Sequence, residues 1–464
     1  MTKKITSKQR EQICELLEQK HTRDMIAAIV GVTASQVSAV AAHMTMGTYE
    51  RTPKSDRKRD AKSPTIFAST LQQNRSPRHC VPSAGKEGIL LGYDRGGTAL
   101  AWDPVSSVNP HVLVIGESGF GKTYSLSCLI AELSKRGMPS IIFDYGQGFT
   151  ATSSDQSLVK ITKPTQLQAA RNGIQISPFE IFSSDLHGPV NVAQRVADTL
   201  SQVYQNIGIQ QHSVIRDAII DVLEEAGIHN KVRNTWSKPL PRFSLLKQKL
   251  QEYAEDLSNS DRKTPRTAGS HISSLFIFDI FRQDGTPVKW DNLLLSDGRP
   301  TIIQLMGIEQ DLQRAVTEFM IWNLIGFIES SGPAQLRCFV VIDEAHRMVS
   351  GSGSAIDKLL REGRKFGIGV ILASQQPEDF TSVAFSNTAT KLIFQISDDN
   401  SAVSKRLHRK LHMPMPFSEL YTTITTLPRG EAFAITNNHG AVIKFAGFAE
   451  RFANNETHRG RKNE

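Results

Sequence analysis

The eight residues "GESGFGKT" (116–123) restrict what this chain can fold into more than any other stretch of it. They follow the apolar run "HVLVI" (111–115) and lead into "KTYSLSCLIAELSKRG" (122–137), whose apolar spacing is helical. Strand, glycine-rich turn and helix in that order make a cradle for phosphate. The glycines let backbone N–H groups turn inward, and the helix N-terminus adds partial positive charge. Lys122 is placed to reach the β- and γ-phosphates of a nucleoside triphosphate, and the Thr123 hydroxyl to ligate Mg²⁺. The expected nucleotide contacts are Gly116, Glu117, Ser118, Gly119, Phe120, Gly121, Lys122, Thr123 and Tyr124, with ATP and Mg²⁺ as cofactors.

A second motif supplies the acids. In "CFVVIDEAHR" (338–347) an apolar strand ends in Asp343, the carboxylate expected in the Mg²⁺ shell. Glu344 follows, placed to orient or deprotonate an attacking water, which points to hydrolysis rather than transfer to a substrate hydroxyl. "DEAH" (343–346) also marks a class of helicases, but those need a second RecA-like domain carrying arginines. Only 118 residues follow His346, without a Q-x-x-G-R-x-G-R run, and no L-S-G-G-Q signature is present. The arginine that completes the site is therefore expected from a neighbouring subunit. "LLREGRKFGIGVILASQQP" (359–377) offers Arg361 and Arg364 at a helix end and Gln375 after the next strand. An arginine there would stabilise γ-phosphate charge in the next protomer, and Gln375 would sense the γ-phosphate in its own site. The same Arg361, Arg364 and Lys365 also suit a basic helix end that complements the dipole.

Composition narrows the class. Among 464 residues, 39% are hydrophobic and 22% charged, as in a soluble globular protein, and no run of eighteen apolar residues suggests a membrane span. The opening "MTKKITSKQREQ" lacks the apolar core of a signal peptide, so a cytoplasmic location is expected. Cys14, Cys80, Cys128 and Cys338 are dispersed and predict neither a disulfide framework nor a zinc site. The net charge of +8 is uneven: "RTPKSDRKRDAKSP" (51–64) has six Lys or Arg against two Asp, and the tail "RGRKNE" is basic too. Such runs are either solvated linker or the complement of a polyanion.

Four segments follow. Residues 1–48 predict an all-α helix-turn-helix domain, in which Ala27, Gly31 and Val37 are spaced for a close helix pair and Thr33 with Gln36 forms a capping box. Ser35, Gln36 and Ser38 would then face DNA bases, unless the unit is a small bundle for protein contacts. Residues 49–84 read as a basic flexible linker, 85–450 as the ATPase domain with a helical insertion at about 155–295, and 451–464 as a basic tail. A hairpin is expected at 88–103, then strands "HVLVIG", "SIIFDY", "PTIIQLM", "CFVVIDE", "GVILAS" and "KLIFQI". The fold class is α/β: a RecA-like P-loop core around a largely parallel sheet.

Taken together, "GESGFGKT", "IIFDYGQGF", "VVIDEAHR" and "REGRKFGIGVILASQQP" resemble the HerA–FtsK superfamily over roughly 86–447. The likeness is to HerA-type ATPases and their relatives among type IV coupling proteins and restriction ATPases. The resemblance implies ring hexamers that translocate double-stranded DNA. It matches Lys122 and Thr123 to Walker A, Asp343 and Glu344 to Walker B, Arg364 to the trans-acting arginine and Gln375 to the polar sensor. The chain departs from the pattern after Asp144, where "YGQGF" puts Gln147 in place of an acid, and in lacking most of an N-terminal β-barrel.

Three functions stay open on sequence. One is a DNA motor working with a separate nuclease or other effector, since no nuclease motif is found. Another is a regulatory ATPase scaffold that activates a partner. The third is a transcription regulator with an ATPase domain, which leaves Arg364 and Gln375 with less to do.

Overall fold

In the computed structural model, residues 88–452 are described except 151, 257, 259, 399, 400, 437 and 438, together with part of 6–40, chiefly 22–34 and 36–38. The expected linker 49–84, Ser35 and the tail beyond 452 lie outside the described residues.

Among the described residues, the main body is organised by one eleven-stranded sheet. Its strands are β1 (Ile89–Asp94), β2 (Ala99–Trp102), β3 (Val112–Ile115), β4 (Ser140–Asp144), β5 (Thr165–Gln168), β6 (Thr301–Gln304), β7 (Cys338–Asp343), β8 (Ile368–Ser374), β9 (Thr390–Ile393), β10 (Glu431–Thr436) and β11 (His439–Phe445). They lie in the order β2-β1-β11-β10-β9-β3-β8-β7-β4-β6-β5. From β9 to β5 every pairing is parallel, and from β2 to β9 every pairing is antiparallel.

Alternation along these strands feeds two cores. Val112 and Val114 with Ile142, Phe339 and Val341 face one side, where Leu126, Leu129 and Leu133 of the helix Lys122–Lys135 cover them. Leu113 and Ile115 with Phe143, Val340 and Ile342 face the other, under the long helix Gln310–Ser331. Strands covered on both faces have no polar side, which is why they read as unbroken apolar runs. Gly369 stands opposite Phe339 in the ladder, and a Cβ on it would come within 2.2 Å of the Phe339 ring.

The segment between β4 and β6 holds helices Pro189–Val203, Ile209–Glu225, Leu245–Glu255 and Lys263–His271. The helix read from "QQHSVIRDAIIDVLEEAG" buries Ile215, Ala218, Ile219, Val222 and Leu223. An aromatic cluster centred on Phe243, with Phe179 at 5.2 Å, Phe276 at 5.5 Å and Phe281 at 5.6 Å, packs this segment together. The same segment also contributes β5, which the sequence does not advertise. "TQLQ" pairs only with β6 at the sheet edge, so it needs no apolar run.

Among the described N-terminal residues, helix Arg23–Val30 ends at Gly31, whose φ of 67° is the left-handed conformation glycine tolerates best. Thr33 and Gln36 exchange capping-box hydrogen bonds (Gln36 N to Thr33 Oγ1 3.3 Å; Thr33 N to Gln36 Oε1 3.0 Å). Ile13, Ile26, Val30, Val37 and Val40 are buried together. Ser38 is half-buried, its hydroxyl donating to Ala34 O at 3.0 Å.

His111 anchors the entry to β3. Its Nδ1 accepts from Val370 N at 3.0 Å, and burial, with nearby Arg364 adding to it, pushes its pKa down to about 4. The unfolded chain binds that proton first, so the stability His111 contributes is complete above pH about 6.5 and is lost as pH falls through about 4. His111→Gln should therefore melt well below the parent at pH 7.5, with the gap narrowing as pH drops to 4. A gap that stays constant over thermal melts across that range would exclude His111 as the titrating group.

Candidate functional site

The phosphate loop connects β3 to the helix Lys122–Lys135, and backbone conformation explains its glycines. Gly116, Gly119 and Gly121 have φ of 147°, 87° and 114°. At Gly116 a Cβ would also approach the Cβ of Phe394 to 2.6 Å, so loop and β9 meet there without room for a side chain. Glu117 N donates to Gln395 O (2.9 Å), its carboxylate accepts from Ser397 N (2.7 Å), and Phe120 O accepts from Gly430 N (3.2 Å). These bonds pin the loop to the segments after β9 and before β10.

Lys122 is buried, with Nζ donating to Glu117 O at 2.9 Å inside its own loop. Burial lowers its pKa, while the charges of Asp343, Glu344 and Glu117 pull the other way. Thr123 Oγ1 donates to Asp343 Oδ2 at 3.1 Å, uniting the two motifs across 220 residues. A Cβ on Gly148 would lie 2.9 Å from Thr123 Cγ2 and 3.4 Å from Asp343 Oδ2, so the turn after β4 closes over this pair.

Asp343 is pushed up to about 6, first by burial and then by the charge of Glu344. Glu344 itself has φ of 62°, a left-handed conformation that costs a residue with a side chain about 1–2 kcal/mol. Such strain persists where the surroundings hold it, and here Glu344 N donates to Asp343 Oδ1 at 3.1 Å. Gln375 Nε2 reaches Glu344 Oε2 at 3.5 Å. The hard oxygen pair Thr123–Asp343, the buried ammonium of Lys122 and the side-chain-free loop fit a magnesium nucleotide: Thr123 and Asp343 would hold the cation and Lys122 the phosphates.

The structure thus brings Lys122, Thr123, Asp343, Glu344 and Gln375 to one edge of the sheet, at the C-terminal ends of β3, β7 and β8. Arg364 is not with them. It lies exposed in the turn Gly363–Phe366 before β8, donating to the carbonyl of Val108, which precedes β3. Arg361 is exposed nearby. Tyr124 is half-exposed, its ring edge-on to Phe448 at 5.6 Å and its hydroxyl accepting from Phe448 N at 3.1 Å. Asp144, left without a role on sequence, is buried directly beside Asp343 in the ladder and accepts from Gly146 N (3.1 Å) and Phe149 N (2.9 Å). Burial raises its pKa. An acid closing the buried run "SIIFD", as Asp343 closes "CFVVID", was the signal for it.

The family described as "DUF87: Helicase HerA, central domain" matches residues 89–324, just over half of the chain. The chain belongs to that family. Among curated proteins, this HerA-family chain is 24% identical over 309 residues to the DNA double-strand break repair helicase HerA of Saccharolobus solfataricus, covering 63% of this chain and 55% of that protein. It spans about half the length of the curated HerA relatives it matches. VirB4 of Thermoanaerobacter pseudethanolicus shares the fold at a TM-score of 0.65 and 16% identity, over 79% of this chain and 98% of that one. The plasmid coupling protein TrwB in complex with ADP and Mg²⁺ shares it at 0.51 and 17%, over 74% and 88%. The HerA resemblance read from the four motifs is met at the level of family and fold.

Gly116→Ala should cost this HerA-family chain at least tenfold in nucleotide affinity, because both φ and Phe394 oppose the methyl group. Lys122→Ala should likewise lose binding, whereas Glu344→Gln should bind ATP and stall. Fluorescent-nucleotide titration checks all three, and unchanged affinity in both loop variants would remove the loop from the site.

Proposed function

We propose that this protein is an ATP-hydrolysing ring motor acting on double-stranded DNA. The observation that carries the reading is the split between the two edges of one sheet. The phosphate loop, the acids and Gln375 gather at the C-terminal strand ends, while Arg364 stands at the start of β8. Seven residues of β8 span about 20 Å, so Arg364 is out of reach of its own loop. The site is completed by a second copy, whose Arg364 enters next to the γ-phosphate. Repetition of that head-to-tail contact closes a ring, and the hexamer implied by the family resemblance is the closure we adopt.

In each site Lys122 holds the phosphates and Thr123 with Asp343 holds Mg²⁺. Glu344 orients and deprotonates water, and Gln375 reports the γ-phosphate to the end of β8. DNA as the substrate is supported by the HerA relationship and by the basic segment 51–64. The N-terminal helices would recruit the motor through Gln36 and its neighbours Ser35 and Ser38, and a separate nuclease or other effector would act on the DNA it moves. The work we assign to it is DNA processing, transfer or anti-phage defence, carried out in the cytoplasm.

Long double-stranded DNA should stimulate steady-state ATP hydrolysis by about tenfold or more, and Glu344→Gln should abolish the stimulated rate. A flat response to DNA would favour the regulatory scaffold instead. Arg364→Ala should bind ATP without hydrolysing it, and mixing it with Lys122→Ala subunits should restore part of the activity. Absence of recovery at every mixing ratio would rule out Arg364 as a group acting in trans.

A further inference from the structure

The histidine of "DEAH" has no part in the chemistry assigned so far, yet it touches the residue that matters most. His346 Nδ1 lies 3.3 Å from Glu344 Oε2 and 3.3 Å from Ser374 Oγ, the last residue of β8. Ser374 Oγ in turn lies 2.5 Å from Asp379 Oδ2, which also accepts from Gln376 N at 3.1 Å.

The direction of these bonds follows from counting protons. Asp379 is a carboxylate and only accepts, so the one hydroxyl proton of Ser374 is committed to it. What Ser374 offers His346 is a lone pair, and Glu344 offers its other contact at Nδ1 only lone pairs as well. Both neighbours require a proton on Nδ1, so His346 donates there and its tautomer is set. Asp379 is itself fixed: Lys410 Nζ ties down its turn by donating to Pro377 O (2.9 Å) and Phe380 O (3.0 Å).

We propose that His346 is a positioning residue for Glu344. Through Ser374 and Asp379 it fixes Glu344 Oε2, leaving the other carboxylate oxygen to face the water. This rests on the reading of Glu344 as the residue that activates water. It also gives Gln375, next to Ser374, a second route to the same carboxylate: a shift of the end of β8 on loss of γ-phosphate moves Ser374, hence His346, hence Glu344. Sensing and hydrolysis then share one hydrogen-bonded chain.

The test uses full-length protein, with ATP turnover measured at saturating DNA and nucleotide binding measured by fluorescent analogue. Asparagine presents its amide N–H₂ where Nδ1 stands, whereas glutamine, closer to histidine in size, carries it farther out, near the position of Nε2. His346→Gln should lower kcat about tenfold while leaving KM and nucleotide affinity within about twofold, and His346→Asn should keep most of the rate. Ser374→Ala should lose a similar factor, and the His346→Gln/Ser374→Ala double variant should be no slower than either single. Equal rates in the Asn and Gln variants, multiplying losses in the double variant, or a change in KM alone would each overturn the proposal. Glu344→Gln runs in the same series: if it turns over like the parent, the underlying reading of the site fails, whereas parental rates in the His346 variants alone sink only this inference.

Discussion

The site depends on β8 lying between β3 and β7. Parallel pairing brings the three strand ends to one edge, and the ladder register sets Ile115 against Ser374 and Ile342 against Leu372. The phosphate loop therefore springs from one side, Asp343 and Glu344 from the other, and Gln375 from between them. The hydrogen bond from Thr123 to Asp343 is the direct product of that neighbourhood. Thr123 and Asp343 stand 220 positions apart and Gln375 comes 31 beyond Glu344, so no local propensity could have assembled them. The apolar faces of the sheet do it, since a slip of one residue would send every side chain into the core on the other face and spoil the packing of both.

Electrostatics explains why the assembled edge is poised for a cationic ligand. Asp144, Asp343 and Glu344 crowd one corner, and the first two are held above their ordinary carboxylate range by burial. Lys122 is the single buried cation facing them among the described residues, and its ammonium is engaged with Glu117 O. Removing such acids from water is costly unless charge returns to the site. A divalent ion between Thr123 and Asp343 would return it, and the phosphates would then satisfy Lys122.

Much of this was readable in advance, for identifiable reasons. The β3 loop, Asp343, Glu344 and Gln375 lie at the ends of apolar runs, where side-chain direction is dictated by the strand that precedes them. Asp144 obeys the same rule, but the acid expected after it is replaced by Gln147, which the structure leaves exposed. The edge strand Thr165–Gln168 and the antiparallel pair β10–β11 were not legible, since "TQLQ" has no apolar signal and "HGAVIKF" opens on exposed His439 and Gly440. His346 was invisible in another sense. Its partner Ser374, itself bonded to Asp379, comes from 28 residues downstream and becomes a neighbour only through the sheet.

The antiparallel half of the sheet has a consequence for how the chain comes to exist. β1, the first strand of the body, pairs on one side with β2 and on the other with β11, the last. During synthesis β1 and β2 therefore emerge as a hairpin with an open edge, and more than three hundred residues are made before Phe445 arrives opposite Gly92. An unpaired edge over that interval invites association with other nascent chains. The loop contact from Gly430 and the helix that meets Tyr124 also belong to this last segment. The first motif translated is thus among the last to be finished, and a ribosome-bound chain has no complete phosphate loop until its C-terminal strands have docked.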